Sequence, residues 1–132
     1  MLNVLLLLGL VPGLLAKAPF QFAPEEHHED VIAEYGKEIT LDCTTFDTNH
    51  SYVEWYRNDS NRAVVQRLED RHMLISANYT GRVDLKKKHL HIKHVKFEDQ
   101  AVYVCRTAVQ KGEEISIQHG TFWKLIVKHE EL

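Results

Sequence analysis

The chain has 132 residues, a length that suits one domain rather than two, and its 44% hydrophobic and 27% charged residues predict a globular core. A net charge of −3 gives no electrostatic basis for nucleic-acid binding. Only two cysteines are present, Cys43 and Cys105, too few for a structural zinc site of the usual kind. In an oxidising compartment this pair is expected to form one disulfide, worth about 4 kcal/mol for a loop of this length.

The first sixteen residues carry no charged side chain, and an apolar run extends from Leu5 to Ala16. This run is shorter than the roughly 20 apolar residues that span a bilayer, so it predicts a secretory signal peptide over residues 1–16. Cleavage is expected after Ala16, because Pro19 would follow a cut after Ala18. The alternative is a buried N-terminal helix. No transmembrane segment is expected later in the chain.

Three Asn-x-Ser/Thr sequons begin at Asn49, Asn58 and Asn78. Each pattern is common by chance, but three of them behind a signal peptide are typical of a secretory glycoprotein.

After the signal, residues 17–34 are expected to form a loose N-terminal segment with an edge strand near Val31 and Ile32. From residue 38 onward apolar and polar residues alternate with a period of two, which predicts short strands with one buried face. The expected strands cover residues 39–43, 53–57, 63–68, 82–85, 90–92, 101–105 and 121–127. With no long amphipathic helix, the pattern predicts an all-β sandwich or barrel, followed by a tail at 129–132.

One array of residues is more specific than the strand pattern. Cys43, Trp55 and the run Leu90-x-Ile92-x-x-Val95-x-x-x-Asp99-x-Ala101-x-Tyr103-x-Cys105 together resemble the variable-type immunoglobulin domain. The resemblance implies a two-sheet antiparallel Greek-key β-sandwich over residues 35–128, in which Cys43 and Cys105 form an inter-sheet disulfide.

The resemblance also implies roles for individual residues. Trp55 should pack against the disulfide, and Tyr103 should form the tyrosine corner of the fold. Leu90 and Ile92 should lie in the core. Arg82 and Asp99 match the family's structural ion pair at the lower end of the sandwich.

The end of the domain departs from one family pattern. Antigen-receptor variable domains carry a Gly-x-Gly-Thr bulge in the last strand, whereas Gln118-His119-Gly120-Thr121 supplies only the second glycine. The sequence therefore favours an innate or adhesion-type receptor domain over a rearranged antigen receptor.

Domains of this kind bind partners through their loops or through the flat face of strands G, F, C and C′. On that face we expect exposed side chains at Glu54, Tyr56, Val102 and Val104, with Arg106 at the rim. Two valines beside a tyrosine make the apolar patch that interfaces prefer. The alternative is that the polar segment 107–119, expected as a long loop, covers this patch.

The sequence thus predicts a secreted protein-binding domain, a soluble receptor or decoy of immune or adhesion type, that pairs through this face with itself or another protein. Ser, His and Asp occur without any catalytic motif, so no enzyme activity and no cofactor are expected. His89 and His91 share a strand face, but no carboxylate or cysteine completes a ligand set. We therefore expect both to face solvent and no metal site.

The last four residues support a different location. His129-Glu130-Glu131-Leu132 resembles the His-Asp-Glu-Leu retrieval signal, with Glu in place of Asp. The alternative function is therefore a binding factor resident in the lumen of the endoplasmic reticulum.

Overall fold

The computed structural model describes residues 26–46, 51–60, 62–68 and 73–129. The predicted signal peptide 1–16, most of the N-terminal segment, Asn49 and the last three residues of the tail lie outside these ranges.

Within the described ranges the chain forms β-strands joined by turns, with two short 3-10 turns at Ala77–Tyr79 and Phe97–Asp99. The strands are β1 (His28–Glu34), β2 (Ile39–Leu41), β3 (Tyr52–Arg57), β4 (Arg62–Leu68), β5 (Met73–Ile75), β6 (Val83–Lys86), β7 (His89–Ile92), β8 (Ala101–Lys111) and β9 (Glu114–Lys128). Neither 3-10 turn approaches the length or apolar character of a membrane-crossing helix, and the described residues contain no other helix.

The strands form two sheets. One has six strands in the order β1-β9-β8-β3-β4-β5, and the other has three in the order β2-β7-β6. Neighbouring strands are antiparallel except β1, which runs parallel to β9 along the whole of His28–Glu34. The all-β, two-sheet sandwich predicted from the sequence is therefore confirmed, and β1 extends well beyond the edge strand expected near Val31.

The core lies between the sheets and follows the period-two pattern. Leu90 and Ile92 on β7 are both fully buried, as is Trp55 on β3. The predicted disulfide is confirmed: Cys43 and Cys105 are bonded, with their Cα atoms 5.6 Å apart. Trp55 lies directly opposite Cys105 in the strand register, and its indole N–H donates to the Lys88 carbonyl at 2.8 Å. A buried tryptophan beside the bridge thus keeps its one polar atom satisfied.

A hydrogen-bonded network closes one end of the sandwich, which we call the lower end. Arg82 donates to both carboxylate oxygens of Asp99, at 2.8 and 3.0 Å, and Asp99 is almost fully buried. Tyr103 donates its hydroxyl to the Asp99 carbonyl at 2.5 Å and lies 2.9 Å from the Tyr79 hydroxyl. Burial, followed by interactions with Tyr79, raises the pKa of Tyr103, so its hydroxyl stays protonated.

At the opposite, upper end, β8 and β9 continue as a two-stranded hairpin. Their register runs without interruption from Arg106 opposite His119 to Lys111 opposite Glu114. Gly112 supplies the positive φ of 65° in the turn. The expectation of a polar loop over residues 107–119 is therefore wrong, because this segment pairs with itself as strand.

Candidate functional site

The outward surface of β4, β3, β8 and β9 is the candidate site, and we call it the outer face. Its side chains are ordered by the strand register, which places directly opposed residues side by side on one surface. A central row runs across Gln66, Glu54, Arg106 and His119. An upper row contains Leu68, Tyr52, Ala108 and Ile117, and a lower row contains Ala63, Tyr56, Val104 and Phe122.

The central row is built around a buried carboxylate. The Glu54 side chain is only 7% exposed, and it forms an ion pair with Arg106. Gln66 donates to its other oxygen at 2.8 Å. Burial, the charge of Glu54 and a hydrogen bond to Glu54 raise the pKa of Tyr52 to about 12. Tyr52 therefore stays neutral, and the carboxylate is both paired and hydrogen-bonded, as a buried charge requires.

Arg106 is the exposed member of this pair, with 39% of its side chain accessible. Its guanidinium lies 5.2 Å from the centre of the Tyr56 ring, within reach of a cation–π interaction. Burial opposes its charge, but the hydrogen bond and charge of Glu54 raise the pKa of Arg106 overall. The pair therefore presents a fixed, nearly neutral polar centre.

Around this centre the upper half of the outer face is apolar and open. Leu68, Ile115 and Ile117 are large aliphatic side chains exposed to solvent, and Leu74 on the edge strand β5 is exposed beside Gln66. Ile115 lies opposite Gln110 on the hairpin, two residues before Ile117, so both isoleucines point from the same surface. Aliphatic groups surrounding a partly buried polar pair form the arrangement found in protein interfaces.

The expected binding residues are brought together, but the expected exposures are partly wrong. Val104 is fully buried and Glu54 nearly so. Val104 lies between two aromatic neighbours in the register, Tyr56 and Phe122, and Glu54 lies beneath its hydrogen-bond donors. Tyr56 and Val102 are half-buried, with Val102 beside Lys124 in the lower half of the face.

Arg106 also departs from expectation, because the register places it in the central row rather than at the rim.

Two histidines were expected to face solvent, and the structure overturns this for His91, whereas His89 is half-buried with 32% of its side chain exposed. His91 is buried at the centre of the three-stranded sheet, between Thr40 and Asp84, and hydrogen-bonds Glu38 at 2.6 Å. The backbone N–H of Cys43 donates to Nδ1 of His89 at 3.0 Å. Both imidazoles thus serve the fold, and nowhere in the described ranges do three His, Cys, Asp or Glu side chains form a set that could hold a metal ion.

The two described sequons lie at or near the lower end. Asn58 directly follows β3 and Asn78 lies in the first 3-10 turn, and both side chains are exposed. Neither asparagine belongs to the apolar upper half of the outer face.

Among the site residues that the sequence interpretation missed are Ile115 and Ile117. They alternate with polar residues in Glu114-Ile115-Ser116-Ile117-Gln118, the same period of two that predicts the other strands. The high proportion of charged and polar residues around Gly112 concealed this signal.

The sandwich with its inter-sheet disulfide and six-stranded outer face defines an immunoglobulin-like binding domain. The model of the immunoglobulin V-set domain family matches residues 26–126, and the chain belongs to that family. V-set domains bind other proteins.

Solved structures agree with this assignment. The first Ig-like domain of human CD48 antigen superposes with a TM-score of 0.68 and 21% identity, covering 83% of this chain and 89% of that one. Murine CRIg gives a TM-score of 0.64 and 19% identity, covering 76% of this chain and 92% of that one. The V domain of amphioxus IgVJ-C2 gives a TM-score of 0.63 and 17% identity, covering 74% of this chain and 98% of that one. At these identities the likeness shows the fold alone, and a search of curated protein sequences found no significant match.

Proposed function

We propose that this domain recognises another protein outside the cell through the upper half of its outer face. The observation that carries this proposal is the group of exposed aliphatic side chains, Leu68, Ile115 and Ile117, around the half-buried Glu54–Arg106 pair. Soluble domains rarely leave such a group uncovered unless it binds something.

The chemistry of the face indicates the kind of contact it makes. Because Glu54 and Arg106 neutralise each other, the centre of the face carries no net charge that would select a highly charged ligand. Its affinity would come from apolar contact with the isoleucines and from Tyr52, while the partly exposed guanidinium offers a hydrogen bond to the partner. Recognition of this type needs no cofactor. A second copy of this chain or another V-set domain is the partner we expect for such a face.

A glycan on Asn58 would limit where the partner can sit. Asn58 lines a groove of about 530 Å³ together with Tyr56 and Phe122, in the lower part of the outer face. A sugar chain there would crowd the lower row and leave the hairpin and Leu68 open. This supports the upper half as the contact surface.

The predicted signal peptide, disulfide and sequons support a secreted protein acting as a soluble receptor or decoy. The alternative, a resident factor of the endoplasmic reticulum, rests on the C-terminal His-Glu-Glu-Leu. Expression of the full chain in secretory cells separates the two. Chain in the medium with mature glycans supports the secreted receptor, whereas chain retained with endoglycosidase H-sensitive glycans and released by deletion of Leu132 supports the resident factor.

Binding itself is tested with a fluorescent tetramer of the processed chain, applied to cells that display a library of single extracellular domains, including this one. We expect specific staining by at least one displayed domain and loss of staining when Ile117 is replaced by Asp. Staining that survives this substitution would place the binding surface elsewhere. Homodimer formation is tested separately, by measuring the mass of the untagged chain in solution by analytical ultracentrifugation.

A further inference from the structure

A second cleft, of about 410 Å³, lies at the lower end of the molecule between the turn after β3 and the 3-10 turn Ala77–Tyr79. Asn78 is one of its lining residues. The Asn78 carbonyl accepts from Arg82 at 2.9 Å, but no hydrogen bond to the Asn78 amide group is found among the described residues. The side chain that a sequon would modify is therefore free at the wall of the cleft.

The lining of the cleft combines fixed donors with small hydroxyl groups. Arg57 is held by Asp59 at 3.1 and 3.2 Å, by the Tyr79 hydroxyl at 3.1 Å and by the Glu98 carbonyl at 3.0 Å. These contacts, led by the hydrogen bond to Asp59, raise the pKa of Arg57 and fix its plane. Ser60 also lines the cleft.

Arg62, which lies directly opposite Arg57 in the strand register, is exposed and has no ion-pair partner in the described ranges. Ser76 adds a hydroxyl group, while Ala63, Val64 and Ala77 supply an apolar floor. Planar donors and hydroxyls beside small apolar side chains match a pyranose ring, which has hydroxyl groups at its edge and C–H groups on its faces. Two arginines would also suit an acidic ligand, but Arg57 has most of its N–H groups already engaged.

We infer that this cleft seats the first N-acetylglucosamine of an N-linked glycan on Asn78. The covalent link holds the sugar at the rim, so even weak hydrogen bonds from Arg62 and Ser76 are made at high effective concentration. The glycan then acts as part of the fold, joining the 3-10 turn to the start of β4. This inference shares with the proposed function the requirement that the chain enter the secretory pathway.

Asn58 provides an internal comparison. It is also exposed and also begins a sequon, but it lines the groove on the outer face rather than this cleft. A glycan on Asn58 is therefore expected to lie over the lower row of the outer face, where no described arginine lines the groove, and to add little to the stability of the fold.

The experiment uses chain secreted by kifunensine-treated cells, whose glycans stay in the high-mannose form that endoglycosidase H cleaves. It compares thermal unfolding after endoglycosidase H has trimmed each glycan to one N-acetylglucosamine. Asn78→Asp removes the sugar and keeps Thr80, whose hydroxyl donates to the Ser76 carbonyl at 3.2 Å. Replacing Thr80 would also remove the sugar, but it would break this hydrogen bond. We expect Asn78→Asp to lower Tm by about 4–8 °C, the equivalent of one hydrogen bond in a domain of this size. Asn58→Asp, the matched control, should leave Tm nearly unchanged.

Arg62→Met completes a double-mutant cycle, because it removes the donors and keeps the aliphatic stem. Arg62→Met should lower Tm when the sugar is on Asn78 and have little effect in the Asn78→Asp background. Equal Tm values with and without the Asn78 sugar, or equal effects of Arg62→Met in both backgrounds, would overturn the inference. So would mass spectrometry showing Asn78 unmodified while Asn58 carries a glycan, a result that leaves the proposed extracellular function standing. Absence of sugar from every sequon of a secreted chain would overturn this inference alone, whereas failure of the chain to enter the secretory pathway would overturn both proposals.

Discussion

Gly120 offers the sharpest test of the packing around the disulfide. It lies in the β9 irregularity between His119 and Phe122, and a Cβ added there would lie 2.5 Å from Sγ of Cys105. The same atom would lie 3.0 Å from Oγ1 and 3.1 Å from N of Thr44. Thr44 is itself fixed, because its Oγ1 accepts from the Thr121 N–H at 2.8 Å. None of these neighbours is a flexible side-chain end that can swing away.

The magnitude follows from these distances. Carbon atoms in ordinary contact are about 3.5–4.0 Å apart, so Gly120→Ala requires a shift of roughly 1 Å in the disulfide or the strand. Overpacking of this kind costs about 1–3 kcal/mol. For a domain of about 100 residues, that lowers Tm by roughly 5–20 °C. Differential scanning fluorimetry of the oxidised chain measures this change in Tm directly.

The sign of the change makes this prediction decisive. Gly120 does not have the left-handed φ of Gly36, Gly81 and Gly112, so alanine fits its backbone. Without the clash, the substitution would reduce the entropy of the unfolded chain and stabilise by about 0.4–1 kcal/mol. Gly112→Ala, with a φ of 65° and no atom within 4 Å of the added Cβ, is a control for backbone strain alone. An unchanged or raised Tm for Gly120→Ala would refute the reasoning.

Three further predictions, made with four substitutions, concern charge pairing and hydrogen bonding and are tested by urea unfolding. Arg106→Met should lower the free energy of unfolding by about 2–3 kcal/mol, because it leaves the buried Glu54 carboxylate without its counter-ion. Glu54→Gln should lower it by only about 1 kcal/mol, because the Arg106 guanidinium reaches water. Equal losses in the two variants would contradict this asymmetry. Burial and the nearby charge of Arg106 lower the pKa of His119, so the unfolded state binds a proton at this histidine at a higher pH than the folded state. The free energy of unfolding of the wild type should therefore fall between about pH 7 and about pH 5, and this fall should be smaller in His119→Gln. Tyr103→Phe should cost about 1–2 kcal/mol by removing the hydrogen bond to the Asp99 carbonyl, and an unchanged urea midpoint would argue against it.

Much of the fold follows from local pattern. Leu90, Ile92, Trp55 and the two cysteines each fall on the inward side of a period-two strand, and burial on that side is decided by the sandwich as a whole. Their positions could therefore be predicted without knowing which strands are neighbours.

The outer face could be predicted less well, because burial there depends on cross-strand neighbours. Val104 and Glu54 have the outward parity of exposed residues, yet the six-stranded sheet surrounds them with aromatic rings and hydrogen-bond donors. His91 is covered for the same reason, at the centre of the smaller sheet. The hairpin carrying Ile117 was missed because its alternation lies among charged residues, where composition favours a loop.

The central claim is that the upper half of the outer face binds a protein partner, and a matched pair of substitutions tests it most directly. Ile117 on the hairpin is 57% exposed and Ile32 on β1 is 55% exposed, so Asp at either site perturbs the fold to a similar extent. Ile32 lies opposite Ile126, about 30 Å from Ile117 along β9 at roughly 3.3 Å per residue.

The measurement is surface plasmon resonance of each variant against the displayed domain that the tetramer identifies, with Tm recorded for both. The account predicts that Ile117→Asp weakens binding by at least about tenfold, a loss of about 1.4 kcal/mol, while Ile32→Asp binds like the wild type. Wild-type affinity in a folded Ile117→Asp variant, or an equal loss in Ile32→Asp, would contradict it.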